Sequence, residues 1–464
     1  MALIKWTVFC ASLILLNSCT SNEAPKSQVS LPLSKILQSL TAQFPAVNFL
    51  GYSNSISARG SNGTTGGGGA GGTIILKAPS LVGVSPGWGN LTVAGGTGVA
   101  NSGGGAGGRI VIEGTVTGSI YKTVGGGYGD TCCSSTAYNG GAGTVYTTSY
   151  NGTTSVGSLL ISNTLESNAS VSIAGLPTLA SLNLGGYVNV TLSSGTFSTP
   201  IVVDGGLLTV SSSATLANLT VNTGSAHIQD SAIVSSVSMT GGSLKVVGTV
   251  NIPLLQASGG TIYPTSANAT YGDIVLSGTA VMTHEGFRGT PLQKLYINAS
   301  NLAIGSGSSI NVSGMGYSAT FGPGATNTAY KGGGYGGMGG STGGTVYGSN
   351  TDPTDWGSGG YGSAGDHVDY WSQGAGGGVA RIRVTGTLTV DGGILAKGYT
   401  MGCCIAVGGG SGGSIMIAAG TLAGTGTMSV DGGSVHTTSG AGGGGGGRMA
   451  IYYNTTTFSG TQTY

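Results

Sequence analysis

The sequence predicts an all-β fold: an elongated solenoid of the parallel β-helix kind, with glycine-rich loops extruded from some of its rungs. Three observations carry this. Glycine supplies 95 of the 464 residues, while charged residues make up only 6%; ordinary soluble domains carry roughly 7% glycine and roughly 25% charge. Two internal repeat periods run along the chain. Within each repeat the apolar residues alternate with polar or small ones, which is the period of a strand and not of a helix.

Composition removes the competing classes. Disorder needs low hydrophobicity and high net charge. Here hydrophobic residues make up 39%, mean hydropathy is +0.24 and the formal net charge is +1. The glycines follow no Gly-X-Y period, so a collagen helix does not fit. No basic stripe exists to neutralise phosphates, which argues against nucleic acid as a partner.

Taken in order, residues 1–18 read as a signal peptide. Lys5 supplies the positive start, and Trp6 to Leu16 is apolar over a length typical of export signals and too short to span a bilayer. Leu16-Asn17-Ser18-Cys19 then resembles a bacterial lipobox. The resemblance implies cleavage before Cys19, lipidation of Cys19 and a lipid-anchored place at the outer membrane or cell surface. A plain signal peptide with an incidental cysteine is the alternative. Residues 19–48 are expected to be a lipidated tether with a short capping helix. Leu33, Ile36, Leu37 and Leu40 are spaced for one helical face, which suits a lid over the open end of a solenoid; a membrane-surface helix is the other reading.

The flanks, 49–154 and 301–464, share a long repeat: a glycine run, one small or basic residue, then alternating apolar residues. The residues just before the apolar run are Thr73, Arg109 and Thr144, then Thr345, Arg381, Ser414 and Arg448, 33–36 residues apart. The middle, 155–300, has a shorter period of about 18–20 residues, marked by glycine steps at Gly186, Gly206, Gly224, Gly242, Gly260 and Gly278. One rung of about 19 residues suits three short strands and three turns, and a flanking unit adds a glycine loop of about 15. Glycines at fixed phase are expected at positive-φ corners. The glycine runs either pack as polyproline-II-like strands or stay flexible. With roughly 13–15 rungs rising ~4.8 Å each, the body would be about 60–70 Å long.

The runs GGGYGGMGG (Gly332 to Gly340), GGGSGGSIMI (Gly408 to Ile417) and GGGGGGRMAIYY (Gly442 to Tyr453), with the step Gly343-Gly344-Thr345-Val346-Tyr347-Gly348, resemble glycine-rich β-helix repeats of large bacterial surface and adhesin-like proteins. The resemblance covers roughly 300–455, with a weaker echo at 60–150. It implies a right-handed parallel β-helix and a cell-surface role, and no catalytic residue.

Two constellations stand out. Cys132–Cys133 and Cys403–Cys404 are vicinal pairs at matching places in their repeats. In an exported protein each pair is a disulfide candidate; free thiols or a contact between neighbouring molecules are the alternatives. The insertion 348–375 gathers Asp352, Asp355, Trp356, Asp366, His367, Asp369, Tyr370 and Trp371. Carboxylates among aromatic faces suit sugar stacking and hydroxyl hydrogen bonding, or calcium ligation; a loop folded on itself is the plain reading. No metal and no cofactor is expected. Charges elsewhere are isolated (Asp204, Asp230, Lys245, Asp273), as are His227, His284 and His436. The expectation is a non-enzymatic surface protein, an adhesin or matrix component that in one form binds carbohydrate. Its partners would be the membrane through the lipid and an extracellular glycan or another cell-surface protein. A polysaccharide-active β-helix enzyme, lyase or hydrolase, is the alternative.

Overall fold

Alternation is what the strands are made of. In Ser181–Gly186 (SLNLGG), Leu182 and Leu184 are buried while the residues between them face outward. Ile201–Val210, Asn251–Ala257 and Leu295–Ile304 repeat the scheme with β-branched and aliphatic residues, which suit a half-buried pleated surface. This computed structural model describes residues 47–49, 55–83, 89–99, 102–117, 120–129, 139–148, 157–166, 169–174, 179–285, 293–361, 374–399, 408–435 and 440–464. The chain divides into two units, Met1–Val47 and Asn48–Tyr464. The signal peptide, Cys19 and the expected capping helix fall outside the described residues.

Among the described residues all regular structure is β-strand, joined in one 25-stranded sheet and one three-stranded sheet. Almost every strand pairs in parallel with its counterpart one repeat later. Leu182 lies beside Ile201, Ile201 beside Leu219, Leu219 beside Val237 and Val237 beside Leu255, in steps of 18 or 19 residues. The same column continues through Ile274, Leu302, Leu388 and Leu422. All nine residues are at most 2% exposed. Each such buried aliphatic side chain contributes roughly 1.5–3 kcal/mol of transfer free energy. The corners between strands fall where expected: Gly186, Gly206, Gly224, Gly242, Gly260 and Gly278 all have φ between +56° and +81°, a conformation open to glycine at no steric cost.

The glycine runs are ordered. Gly60 and Gly63 donate to the carbonyls of Ala94 and Thr97, and Gly68 and Gly71 to those of Gly103 and Ala106, at 2.8–3.0 Å. In the second flank Gly409 and Gly412 donate to Gly442 and Gly445. Contacts that recur every three residues along both partners are the period of the polyproline-II helix, which has no internal hydrogen bonds and must find them in a neighbour. Such close approach leaves no room for side chains. A Cβ on Gly68 would fall on the Gly96 carbonyl oxygen, whereas one on Gly66 would meet nothing within 4 Å.

One junction departs from the expected single coil. Gly143–Thr148 pairs antiparallel with Ser158–Asn163, and the interior changes sides there. Val145 belongs to the first hydrophobic core, with Ile74, Ile110 and Val124; Ile161 belongs to the second, which runs on to Val430. Leu160, directly opposite Val145, packs against the first core, while Leu159 packs against the second. The reason lies in the strand SLLISN: it is apolar on both faces, so one strand can serve two cores.

His284 interrupts the aliphatic interior. It is 1% exposed, its Nδ1 donates to the Glu285 carbonyl oxygen at 3.0 Å, and its Nε2 has no hydrogen-bond partner among the described residues. Burial holds its pKa below the ordinary histidine value, and the hydrogen bond to Glu285 offsets only part of this. His227 is lowered too, by burial and by Lys245.

Gly68→Ala should cost ~1–3 kcal/mol or more by overpacking, and Gly66→Ala should leave the thermal midpoint within error; equal midpoints would mean the glycine run is not packed as described. Because the folded histidines resist protonation, the unfolded chain takes up protons that the folded chain refuses once pH falls below ~6.5. Stability should therefore be full above that pH and decline as pH drops through the window below it. His284→Leu should flatten the decline measured between pH 8 and pH 5.

Candidate functional site

The sheet built from Leu295–Ile304, Val379–Val390, Ser414–Ala423 and Arg448–Thr456 presents two outward columns. One is Tyr296, Arg381, Met416 and Ala450; the other is Asn298, Arg383, Ala418 and Tyr452. Arg381 and Arg383 share this face because they stand two residues apart in one strand, Ile382 between them pointing inward at 1% exposure.

The segment 347–358 lies against this face. Ser349 Oγ accepts from the amides of Thr351 and Asp352, at 3.3 and 3.0 Å, and so tightens a turn. Asp352 then reaches Arg381 at 3.0 Å, and the Tyr452 hydroxyl donates to the Thr351 carbonyl oxygen at 2.6 Å. Trp356 is held on three sides. Its Nε1 donates to the Gln293 carbonyl oxygen at 2.9 Å, the Lys294 ammonium sits 4.4 Å from its ring centre, and Tyr317 meets it edge-on at 6.0 Å. Contacts of this cation–ring kind are worth ~0.5–2 kcal/mol each.

Beneath lies a chain of buried hydroxyls. Tyr335, fully buried, bonds Ser414 Oγ at 2.7 Å; Ser414 donates onward to the Asp355 carbonyl oxygen at 2.6 Å. Tyr347 donates to the Trp356 carbonyl oxygen and pairs with Ser358 Oγ at 2.8 Å. The Arg448 guanidinium lies 5.4 Å from the Tyr335 ring centre, and its Nε donates to the Tyr347 carbonyl oxygen at 2.9 Å. Burial pushes the Tyr335 phenol up to about 12 and raises Tyr347 strongly as well, so both stay protonated as donors at neutral pH. Burial lowers the Lys294 pKa, and Asp355 pulls it partly back.

The predicted acidic cluster is thus met by cations. Among its described members, Asp352 is tied to Arg381 and Asp355 lies within the field of Lys294, while Trp356 is packed by its own chain. Asp366, His367, Asp369, Tyr370 and Trp371 lie outside the described residues, as do Cys132, Cys133, Cys403 and Cys404. Among the described residues no group of three His, Cys, Asp or Glu side chains is placed to hold a metal ion. The side chains that sequence reasoning missed are Arg381, Arg383, Arg448 and Lys294. A signal was present: ARIRV places two of the chain's 15 basic residues at i and i+2, hence on one face of a strand.

Two adjoining hollows open on the outer columns. One, of about 200 Å³, is lined by Tyr296, Asn298, Arg381, Arg383 and Met416. The other, of about 600 Å³ and open to solvent, is lined by Arg383, Ala418, Gly420, Tyr452, Tyr453 and Asn454. No protein-family model, no curated protein and no solved structure matches this chain.

Because the Tyr335 hydroxyl is fully enclosed, Tyr335→Phe should remove one hydrogen bond and lower stability by ~1 kcal/mol, read as a shifted urea midpoint at unchanged slope. Ser414→Val should cost more, because it also strips the Asp355 carbonyl of its donor; a smaller effect than Tyr335→Phe would show that the hydroxyl chain is not continuous.

Proposed function

We propose that this chain is an exported, lipid-anchored surface protein without catalytic activity, a right-handed parallel β-helix that serves as an adhesin or matrix component and binds extracellular glycan. The coil reading is supported by parallel pairing one repeat apart through column after column. Parallel crossovers in a sheet are right-handed almost without exception. The antiparallel junction does not disturb that hand. Hand depends on strand direction, on which side of the sheet is interior and on the direction in which rungs advance. At Ser158–Asn163 the first two reverse together, which leaves the hand unchanged.

The observation that carries the functional reading is the outer face around Arg383 and Tyr452. It joins a charged donor, an amide and two half-exposed tyrosines over an open hollow, the mixture of polar groups and aromatic surface that recognises sugars. The catalytic alternative gains nothing from the described acids of the cluster: each is beside a cation and none is paired with a second carboxylate for acid–base work.

Two measurements test the proposal. Purified protein on a glycan array should bind a subset of polysaccharides, and incubation with those ligands should release neither reducing ends nor unsaturated sugar products; steady product release would move the reading to the lyase or hydrolase class. Cys19→Ala should move the protein from the detergent phase to the aqueous phase on detergent partitioning and abolish incorporation of labelled fatty acid. Equal partitioning of the two forms would remove the lipid anchor from the proposal.

A further inference from the structure

We infer that the hollow over Ala418 and Gly420 is a binding site for an acidic polysaccharide, with Arg383 as the carboxylate-binding group and Tyr452 as a fixed wall. The inference rests on the glycan-binding reading above and narrows it to one ligand class and one place.

The site is made by a step in side-chain size. Along one outward column the residues are Arg383, Ala418 and Tyr452, on three successive rungs. Two long side chains flank a methyl group, and Gly420 extends the floor beside it. Rungs stand ~4.8 Å apart, so the gap between Arg383 and Tyr452 spans two rung spacings, about 10 Å, enough to admit a sugar ring.

The two walls differ in character. Tyr452 is 48% exposed, yet its hydroxyl is committed to the Thr351 carbonyl oxygen. Its ring is therefore held in place with an open face, and little side-chain entropy remains to be lost when a ligand packs on it. Tyr453 and Asn454 continue the rim and are exposed.

Charge then selects the ligand. Arg381 is neutralised by Asp352. Arg383, two residues on and on the same face, is exposed and has no acidic partner within 4.0 Å among the described residues. A guanidinium presents a planar fork that matches a carboxylate with two parallel hydrogen bonds. A neutral glycan offers it only hydroxyls. Arg383 beside a neutralised arginine is too little charge for nucleic acid, whose affinity comes from neutralising many phosphates at once. A polyuronate supplies both requirements: a carboxylate for Arg383 and a ring with apolar C–H faces for Tyr452.

Calorimetric titration of the full chain with alginate oligosaccharides, with dextran of similar length as the neutral probe, tests this. Alginate should bind and dextran should not. Arg383→Ala should weaken alginate binding at least tenfold and Arg383→Lys by less, since the charge remains and the fork is lost. Ala418→Trp should abolish binding by filling the hollow without changing charge. Arg109→Ala, an exposed arginine on the first flank, should leave binding unchanged, and melting curves should show each variant folded. Alginate binding that survives both Arg383→Ala and Ala418→Trp would overturn the site while leaving glycan binding standing, as would equal binding of dextran. Absence of binding to alginate and to every glycan on the array would overturn the broader reading and this one together.

Discussion

Backbone hydrogen bonds between residues one repeat apart are the constraint on which the rest depends. A short strand such as Ser243–Val246 cannot satisfy its own amides and carbonyls; it finds partners in the residues 225–228 below and 261–265 above. Register is thereby locked, because a slip of one residue would turn every buried side chain outward. Extra residues can enter only where they leave the ladders intact. The chain obeys this: Leu302 and Leu388 are direct neighbours although 86 residues separate them in sequence. Ser309–Asn311 and residues 380–384 keep their places in the ladders; the described stretch between them, 313–361, leaves the coil and must solve its own hydrogen bonding.

Glycine is how it does so. An extended segment without internal hydrogen bonds can leave its polar backbone to water or bury it against a second segment of the same kind. The three-residue recurrence of contacts between Gly68–Gly71 and Gly103–Ala106 is the second solution. Residues such as Asn163 stitch these layers to the coil. Its side chain is 1% exposed, accepts from the Gly126 amide at 2.9 Å and donates to the Gly140 carbonyl oxygen at 3.0 Å. The glycine content is therefore a packing requirement of the loops, in the way that aliphatic alternation is a packing requirement of the strands.

Much of this was legible in the sequence because it is local or periodic. The alternation in SLNL and NLTV and the glycine corners from Gly186 to Gly278 stand where the pattern put them. The reversal at Ser158–Asn163 was not legible. A strand with Leu159 and Ile161 on one face and Leu160 on the other looks like any fully buried strand, and pairing direction depends on a partner that the strand itself does not name. The candidate site was half legible for the same reason. Asp352, Asp355 and Trp356 stand together in sequence, but what they meet, Arg381, Lys294 and the strand that carries Tyr452, comes from other rungs.

That difference decides how the site is understood. Acids gathered in one loop suggest a place that attracts cations or handles protons. Once folded, the loop returns to a face that bears arginines, and of its described acids Asp352 pairs with Arg381 while Asp355 lies in the field of Lys294. Arg381 with Asp352 forms a half-exposed pair worth at most ~1 kcal/mol, too little to explain two arginines on one strand as a matter of stability. Arg383 is exposed and lines the hollow that Ala418 and Gly420 floor. In a chain where only 6% of residues are charged, a guanidinium with no acidic partner among the described residues, at the edge of a hollow, is set apart from the surface around it. The loop's part is then to hold that surface in shape: Asp352 takes one arginine out of play and the Thr351 carbonyl fixes Tyr452, while Arg383, without an acidic partner among the described residues, stands across the hollow from that aromatic wall.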